Sequence, residues 1–303
     1  MTARILVGTC SWADKTLVEC GRFYPPHIKT PEERLRYYAE QFPIVEVDST
    51  YYGLPSERNA ALWVERTPPE FTFDIKAFRL FTHHPTPIDA LPKDIRQELP
   101  PRGDRPNLYL RDLPRDVVDV LWQRFASALL PLDSAGKLGA VLLQFPPWFL
   151  PGPESREYLA EARHRLPQYR IAVEFRNGAW VNERNLERTL SFLRDQGITY
   201  VCVDEPQTKH SVPPIAAVTA DVAVVRFHGR NVANWLKRGL SAADRFDYLY
   251  REEELAEWIP RVRLLAEEAR EIHLLMNNCH EDKAIRGARQ LALLLEREGL
   301  LRR

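Results

Sequence analysis

Eight short runs rich in Val, Ile, Phe and Tyr recur along the 303 residues, and helix-patterned stretches separate most of them. They fall at about 4–11, 44–51, 71–77, 138–145, 170–176, 199–204, 222–228 and 271–277. Strand, helix, strand in repetition predicts a parallel sheet, because parallel neighbours need a crossover. Eight such units predict an α/β chain folded as one (β/α)8 barrel of TIM type over 1–303. A doubly wound open sheet is the alternative. It is weakened because no GxGxxG follows the first run and no GxxxxGK[ST] occurs anywhere in the chain.

The helix signals are local. Thr30-Pro31-Glu32-Glu33 reads as a capping box with Pro in the first helical turn, opening a helix to about Gln41. Further helices are expected over 56–66, 115–130, 155–166, 182–196, 252–270 and 282–298. Gly197 and Gly299 act as stops. The stretch 205–221 shows no helix pattern. Two long loops break the rhythm: the proline-rich 80–113 after the third strand and 229–250 after the seventh. Both sit on the C-terminal side of a strand, where barrels of this kind build their sites. Long loops there serve as lids, as contacts between copies, or as ornament.

Lys plus Arg and Asp plus Glu both number 42, so the net charge is zero. That disfavours a general nucleic-acid surface without excluding a local basic cleft. The four cysteines are scattered without a CxxC pair, as expected of reduced thiols in a cytoplasmic protein. The chain enters its first strand directly, with no leader pattern and no apolar run of membrane-spanning length.

Charged residues stand two apart at one strand end after another: Glu46 and Asp48, Asp74 and Lys76, Glu174 and Arg176, Arg226 and His228. Residues i and i+2 of a strand share a face, and buried charge is costly unless paired or bound. In a barrel every strand end meets the same mouth. Acid–base candidates are therefore Glu46, Asp48, Glu174, His228 and Lys76, the last a possible base or Schiff-base lysine if its neighbours depress it. Substrate-binding candidates are Trp12, Tyr51, Gln144, Arg176, Trp180, Asp204, Arg226, Arg230, Asn277 and Asn278. With Asp74, five acids at these strand ends face four permanent cations (Lys76, Arg176, Arg226 and Arg230), which suits an anion or a polyol better than a metal cluster. No cofactor is assigned, and an obligate metal is disfavoured. A cation held by Glu46, Glu174, Asp204 and His228 would instead make a phosphodiesterase. An inert lattice of ion pairs, or a binding barrel without turnover, would use the same residues. His83 and His84 either reach the mouth or form a solvated turn, and Cys279 is a weak candidate for a reactive thiol.

The blocks GTCSWADK, VEVDSTYYGLPS, TPPEFTFDIKAF, LLQFPPWF, VEFRNGAW, VVRFHGRN and MNNCHEDKA together resemble the YecE-like family, domain of unknown function 72. The resemblance spans about residues 4–297. It implies a TIM-type barrel and no particular reaction. At the level of fold it is also similar to sugar isomerases and endonuclease-IV-like phosphodiesterases, an analogy that assigns no chemistry. The expectation is an enzyme acting by acid–base chemistry on a small anionic or sugar-like molecule.

Overall fold

The structure is a computed structural model describing residues 3–100, 106–235, 237 and 239–301. Eight parallel strands close into a barrel: β1 (Arg4–Thr9), β2 (Ile44–Val47), β3 (Thr72–Lys76), β4 (Leu138–Gln144), β5 (Ile171–Glu174), β6 (Ile198–Asp204), β7 (Val222–Phe227) and β8 (Glu271–Met276). Each pairs with its sequence neighbours, and β1 closes the ring on β8.

The helices start where the sequence caps them. Thr30 Oγ1 accepts from the Glu33 amide at 3.2 Å, and Glu33 Oε2 accepts from the Thr30 amide at 2.8 Å, opening α1 (Pro31–Gln41). Ser56 Oγ accepts from the Asn59 amide at 3.2 Å at the start of α2 (Glu57–Glu65), without the reciprocal bond. The shell continues with α3 (Arg115–Ser134), α4 (Pro153–Arg165) and α5 (Leu186–Gln196). The stretch expected to be one helix over 252–270 is broken into Glu252–Ala256 and α6 (Ile259–Glu268). Pro260 lies in the first turn of the second piece, where its missing N–H costs nothing. The last helix, α7 (Lys283–Arg297), buries Ile285, Ala288, Leu291 and Leu295 at helical spacing against the barrel.

Register fixes which side chains fill the barrel. Pairs across parallel strands share a face, so Arg226 opposite Val203 and Leu275, and Glu46 opposite Asp74, place one consistent set inside. The set includes Cys10, Glu46, Asp74, Lys76, Gln144, Glu174, Arg226 and His273. Gly139 on β4 makes room for it, since a Cβ there would stand 2.3 Å from Asp74 Oδ1.

Both long loops are pinned to the scaffold. The loop after β3 carries a 3-10 turn (Arg79–Thr82), a short helix (Lys93–Glu98) and a two-residue ladder of Thr86–Pro87 with Asn107–Leu108. Phe81 stacks on Trp122 of α3 with centroids 3.9 Å apart, a contact worth about 0.5–1.5 kcal/mol beyond area burial. The loop after β7 is tied by Asn231 to the Asp247 carbonyl at 2.8 Å and by Asn278 to the Tyr248 carbonyl at 2.8 Å. Parts of both expected loops, 101–105, 236 and 238, lie outside the described residues.

Candidate functional site

At the C-terminal end of the barrel a single guanidinium joins two strands' acids. Arg226 of β7 donates Nε to Glu46 Oε2 at 2.8 Å and Nη2 to Glu46 Oε1 at 2.7 Å, a bidentate fork. Its Nη1 donates to Glu174 Oε2 on β5. The other Glu174 oxygen accepts from Gln144 Nε2 at 2.8 Å, His228 Nε2 at 3.0 Å and Arg176 Nη1 at 3.1 Å. Glu46, Glu174 and Arg226 are each 0 % exposed, which decides their role: nothing in solvent touches them. The expectation that Glu46 and Glu174 meet substrate directly is therefore corrected. They form a sealed lattice beneath the mouth, and Arg226 is structural within it.

The protonation states follow from this wiring. Burial alone would raise Glu174, but Arg226, His228 and Arg176 hold it well below the usual carboxylate range. Burial raises Glu46, against the pull of Arg226 and Lys76. Burial, helped by Arg176 and Arg226, lowers His228 to about 4 against the pull of Glu174. His228 is thus neutral near pH 7, and one tautomer fits its partners. Asn277 Nδ2 donates to Nδ1 at 2.8 Å, while Nε2–H donates to Glu174. The expected neutral-pH proton shuttle at His228 is corrected by this burial. Lys76 is corrected too. Burial would lower it, but Asp48 at 2.6 Å raises it above its ordinary value, so it is a cation and not a base or Schiff-base nucleophile.

A second, partly exposed layer lies above the lattice. Lys76 Nζ stands 4.5 Å from the centroid of the Tyr51 ring, and the Arg79 guanidinium 5.2 Å from the same ring. Tyr51 is held there because Thr50 Oγ1 donates to the Lys76 carbonyl at 2.6 Å. Arg176 lies 4.6 Å from the Trp235 centroid, beneath the loop after β7, and pairs with Glu205 Oε2 at 3.3 Å. His84 completes the rim, edge-on to Tyr51 at 5.4 Å and to Trp148 at 6.1 Å. Among the described residues Arg79 has no carboxylate partner, and its Nε is buried without a hydrogen bond. Four other arginines also leave Nε unpaired, so that fact alone singles out nothing. The company of Lys76, Arg176 and His84 does.

Arg79, Glu205 and the placement of His84 were not legible from strand parity. Arg79 and His84 lie beyond the strand, in a loop fixed by Phe81 on Trp122. Glu205 was obscured by Asp204, which the register turns outward: Val203 faces inward with Arg226, so Glu205 does too. Asp204 instead accepts from Arg230 Nη2, Tyr250 Oη and Trp258 Nε1, each at 2.7 Å. Arg230 also bridges to Glu257 at 2.9 Å, so Asp204 and Arg230 form a clamp between barrel and helices and do not bind at the mouth. Trp180 is fully buried, stacked on Phe175 at 4.1 Å and donating to the Phe149 carbonyl, and so is core. Asn278 is a buried staple for the loop after β7. Trp12 packs edge-on against Trp63 at 6.0 Å, with no described contact to the rim cations. Asp48, Tyr51, Gln144, Arg176 and Asn277 do gather at the mouth. Burial raises the Cys279 thiol far from its reactive range.

Asp74 belongs to a second network at the barrel floor. Its Oδ2 meets His273 Nδ1 at 2.9 Å, His273 Nε2 meets Glu271 Oε1 at 2.8 Å, and Arg4 closes on Glu271 at 3.0 Å. Burial lowers His273, but Asp74 and Glu271 outweigh it and raise the imidazole to about 9.

The ligand set Glu46, Glu174, Asp204 and His228 is not assembled, since Arg226 separates the two glutamates and Asp204 faces away. Among the described residues no group of three or more His, Cys, Asp or Glu is placed to hold a metal ion. A cavity of about 790 Å³ opens beside the mouth, lined by His83, Tyr109, Arg111, Trp122, Trp148 and Tyr158 among others, with none of the lattice acids. It meets the rim at Trp148, which is 59 % exposed and so free to contact a ligand.

Residues 6–302 match the family described as "Protein of unknown function DUF72". The chain is 32 % identical over 299 residues to UPF0759 protein YunF of Bacillus subtilis (strain 168), covering 97 % of this chain and 95 % of that one. Among solved structures it is similar to a DUF72 family protein (TM1631) of Thermotoga maritima MSB8, with 32 % identity, TM-score 0.76 and coverage of 97 % and 99 %. It is likewise similar to a DUF72 family protein (EF0366) of Enterococcus faecalis V583, with 28 % identity, TM-score 0.78 and coverage of 96 % and 95 %.

Proposed function

The chain belongs to the DUF72 family, and from that premise we propose an enzyme that binds a small anionic substrate at the barrel mouth and works on it by acid–base chemistry. The observation that carries this reading is the rim. Lys76, Arg79 and Arg176 crowd one half-buried place among aromatic rings, and Arg79 has no acid to pair with among the described residues. Lys76 and Arg176 already have acid partners, so the unbalanced charge is that of Arg79, and holding it beside two further cations is unfavourable unless an anion joins them. A phosphate or carboxylate suits a guanidinium and an ammonium held by rigid strand ends and a pinned loop. The sealed Glu46–Arg226–Glu174 lattice then orients Arg176 and His228 from below without touching substrate. The adjoining cavity has room for the uncharged part of the molecule. No metal is invoked for any step.

The reading is tested by titration with inorganic phosphate, glycerol phosphate and glycerol, followed by tryptophan fluorescence from Trp148 and Trp235. Saturable responses are expected for the first two and not for glycerol. Arg79→Met and Lys76→Met should each weaken them at least about tenfold, the equivalent of one charge-assisted contact. Equal responses to glycerol, or unchanged affinity in both variants, would refute the anion assignment. Binding without turnover of any phosphate or carboxylate substrate would leave a binding protein in place of the enzyme.

A further inference from the structure

We propose that His84 is the proton acceptor of this mouth, taking a proton at Nε2 from a substrate whose anionic group sits among Lys76, Arg79 and Arg176. The inference rests on the anion-binding reading above. Three observations carry it. First, one tautomer satisfies both contacts of the Thr82 hydroxyl at once. Thr82 Oγ1 lies 3.2 Å from the Arg79 carbonyl, to which it donates, and 2.9 Å from His84 Nδ1. A hydroxyl has one hydrogen, so both contacts are made together only when Nδ1–H donates to Oγ1, the form in which Nε2 keeps its lone pair. Second, no described group bonds Nε2, while the ring is held between Tyr51 and Trp148 at the edge of the mouth. An oriented imidazole with a free lone pair is the ordinary form of a general base.

Third, the charged groups that act most strongly on His84 are cations. Burial, Lys76 on β3, Arg79 in the following turn, Arg176 beyond β5 and the neighbouring His83 together push His84 down to about 3. The nearby acids are already engaged: Asp48 with Lys76, and Glu174 and Glu205 with Arg176. Tyr51, raised by burial, stays neutral and offers no countercharge. Burial remains, but an incoming dianion offsets the cations and attracts a proton to His84, so its pKa rises. The proton then passes from an O–H or C–H of the bound substrate to Nε2. The imidazolium formed is balanced by the anion, and the electron pair of the broken bond stays on the substrate. Binding thus supplies the basicity, and the free enzyme carries no reactive base.

The experiment uses inorganic sulfate, whose charge is fixed over the pH range studied. Sulfate binding is measured by calorimetry between pH 5 and 8, and the histidine ring nitrogens are followed by NMR, with His84→Gln assigning the signal. In free protein His84 should remain the neutral Nδ1–H tautomer throughout. With sulfate bound its pKa should rise from about 3 by at least about two units, into the pH range studied, and below that bound value sulfate affinity should strengthen up to about tenfold per unit fall in pH. In His84→Gln that pH dependence should vanish. Sulfate that binds without moving His84 overturns this inference and leaves the anion reading standing. Failure of sulfate to bind overturns both. A charged or Nε2–H His84 in the free protein overturns the inference directly, and the wild-type affinity profile tests it even if His84→Gln does not fold.

Discussion

Arg226→Met removes the one cation that makes the buried lattice tolerable. Methionine reaches only to about the position of Nε, so the change removes the buried guanidinium and leaves a small void beside the electrostatic loss. Three charge-assisted hydrogen bonds disappear, at 2.8 and 2.7 Å to Glu46 and a third to Glu174, and both carboxyls stay 0 % exposed. Such bonds contribute about 1.5–3 kcal/mol each, and removing one partner of a buried pair costs about 3–5 kcal/mol in total. Protonation of Glu46, already favoured by burial, limits the loss, so about 4 kcal/mol is expected. That is a factor of about 10³ in the folding equilibrium, measurable by urea denaturation at pH 7.5. The pH response should reverse as well. In the wild type Glu174 is held low, so its contribution is present above its unfolded pKa of about 4.5 and lost as pH falls through its folded value. Without Arg226, Glu46, already raised by burial, titrates further above its unfolded value and Glu174 loses its strongest partner, so the variant should be relatively more stable at pH 5 than at pH 7.5. The triple variant Arg226→Met, Glu46→Gln, Glu174→Gln should recover most of the loss. A cost below about 1 kcal/mol for Arg226→Met would refute the burial of this guanidinium between two ionisable acids.

Two further outcomes test the scaffold. His273 has a folded pKa of about 9, above its ordinary 6.5, so its stabilisation is complete below pH 6.5 and lost as pH rises through about 9. At 1.36 kcal/mol per unit this is about 3 kcal/mol, visible as a falling urea midpoint between pH 6.5 and 9.5 that His273→Asn should flatten. Asp204→Ala strips the acceptor shared by Arg230, Tyr250 and Trp258 and should cost about 2–4 kcal/mol by denaturation. Because Asp204 faces away from the mouth, sulfate affinity should stay unchanged, and a parallel loss would put Asp204 back in the site.

Strand periodicity made much of the barrel legible, because its alternation is enforced on every strand by a buried inner face. It named Glu46, Glu174, Arg226 and His228 as one inward set, and the register agrees. It failed in three ways, each physical. Parity tells which face a residue takes and not how deep it lies, so Asp74 was read as a mouth residue although it serves the floor with His273. It also depends on phase. On β6 neither Asp204 nor Glu205 is apolar, and only the pairing of Val203 with Arg226 decides between them. Finally it is silent past the strand end. Arg79 and His84 are placed by a long-range ring contact, Phe81 on Trp122, between residues 41 positions apart that no local pattern links. The charges that parity groups do converge in the barrel, but the strongest pairs, Arg226 with Glu46 and Glu174, are fully buried, and Arg79 and His84 come from the loop after β3.

The central claim is that the mouth holds an anion between Lys76, Arg79 and Arg176. Crystals grown without other multivalent anions and soaked in selenate locate an oxyanion by its anomalous scattering. The predicted result is a peak within about 4 Å of the Arg79 guanidinium and Lys76 Nζ in the wild type, absent in Arg79→Met. A mouth without a peak while selenate occupies other basic surfaces, or a peak indifferent to Arg79→Met, would contradict it.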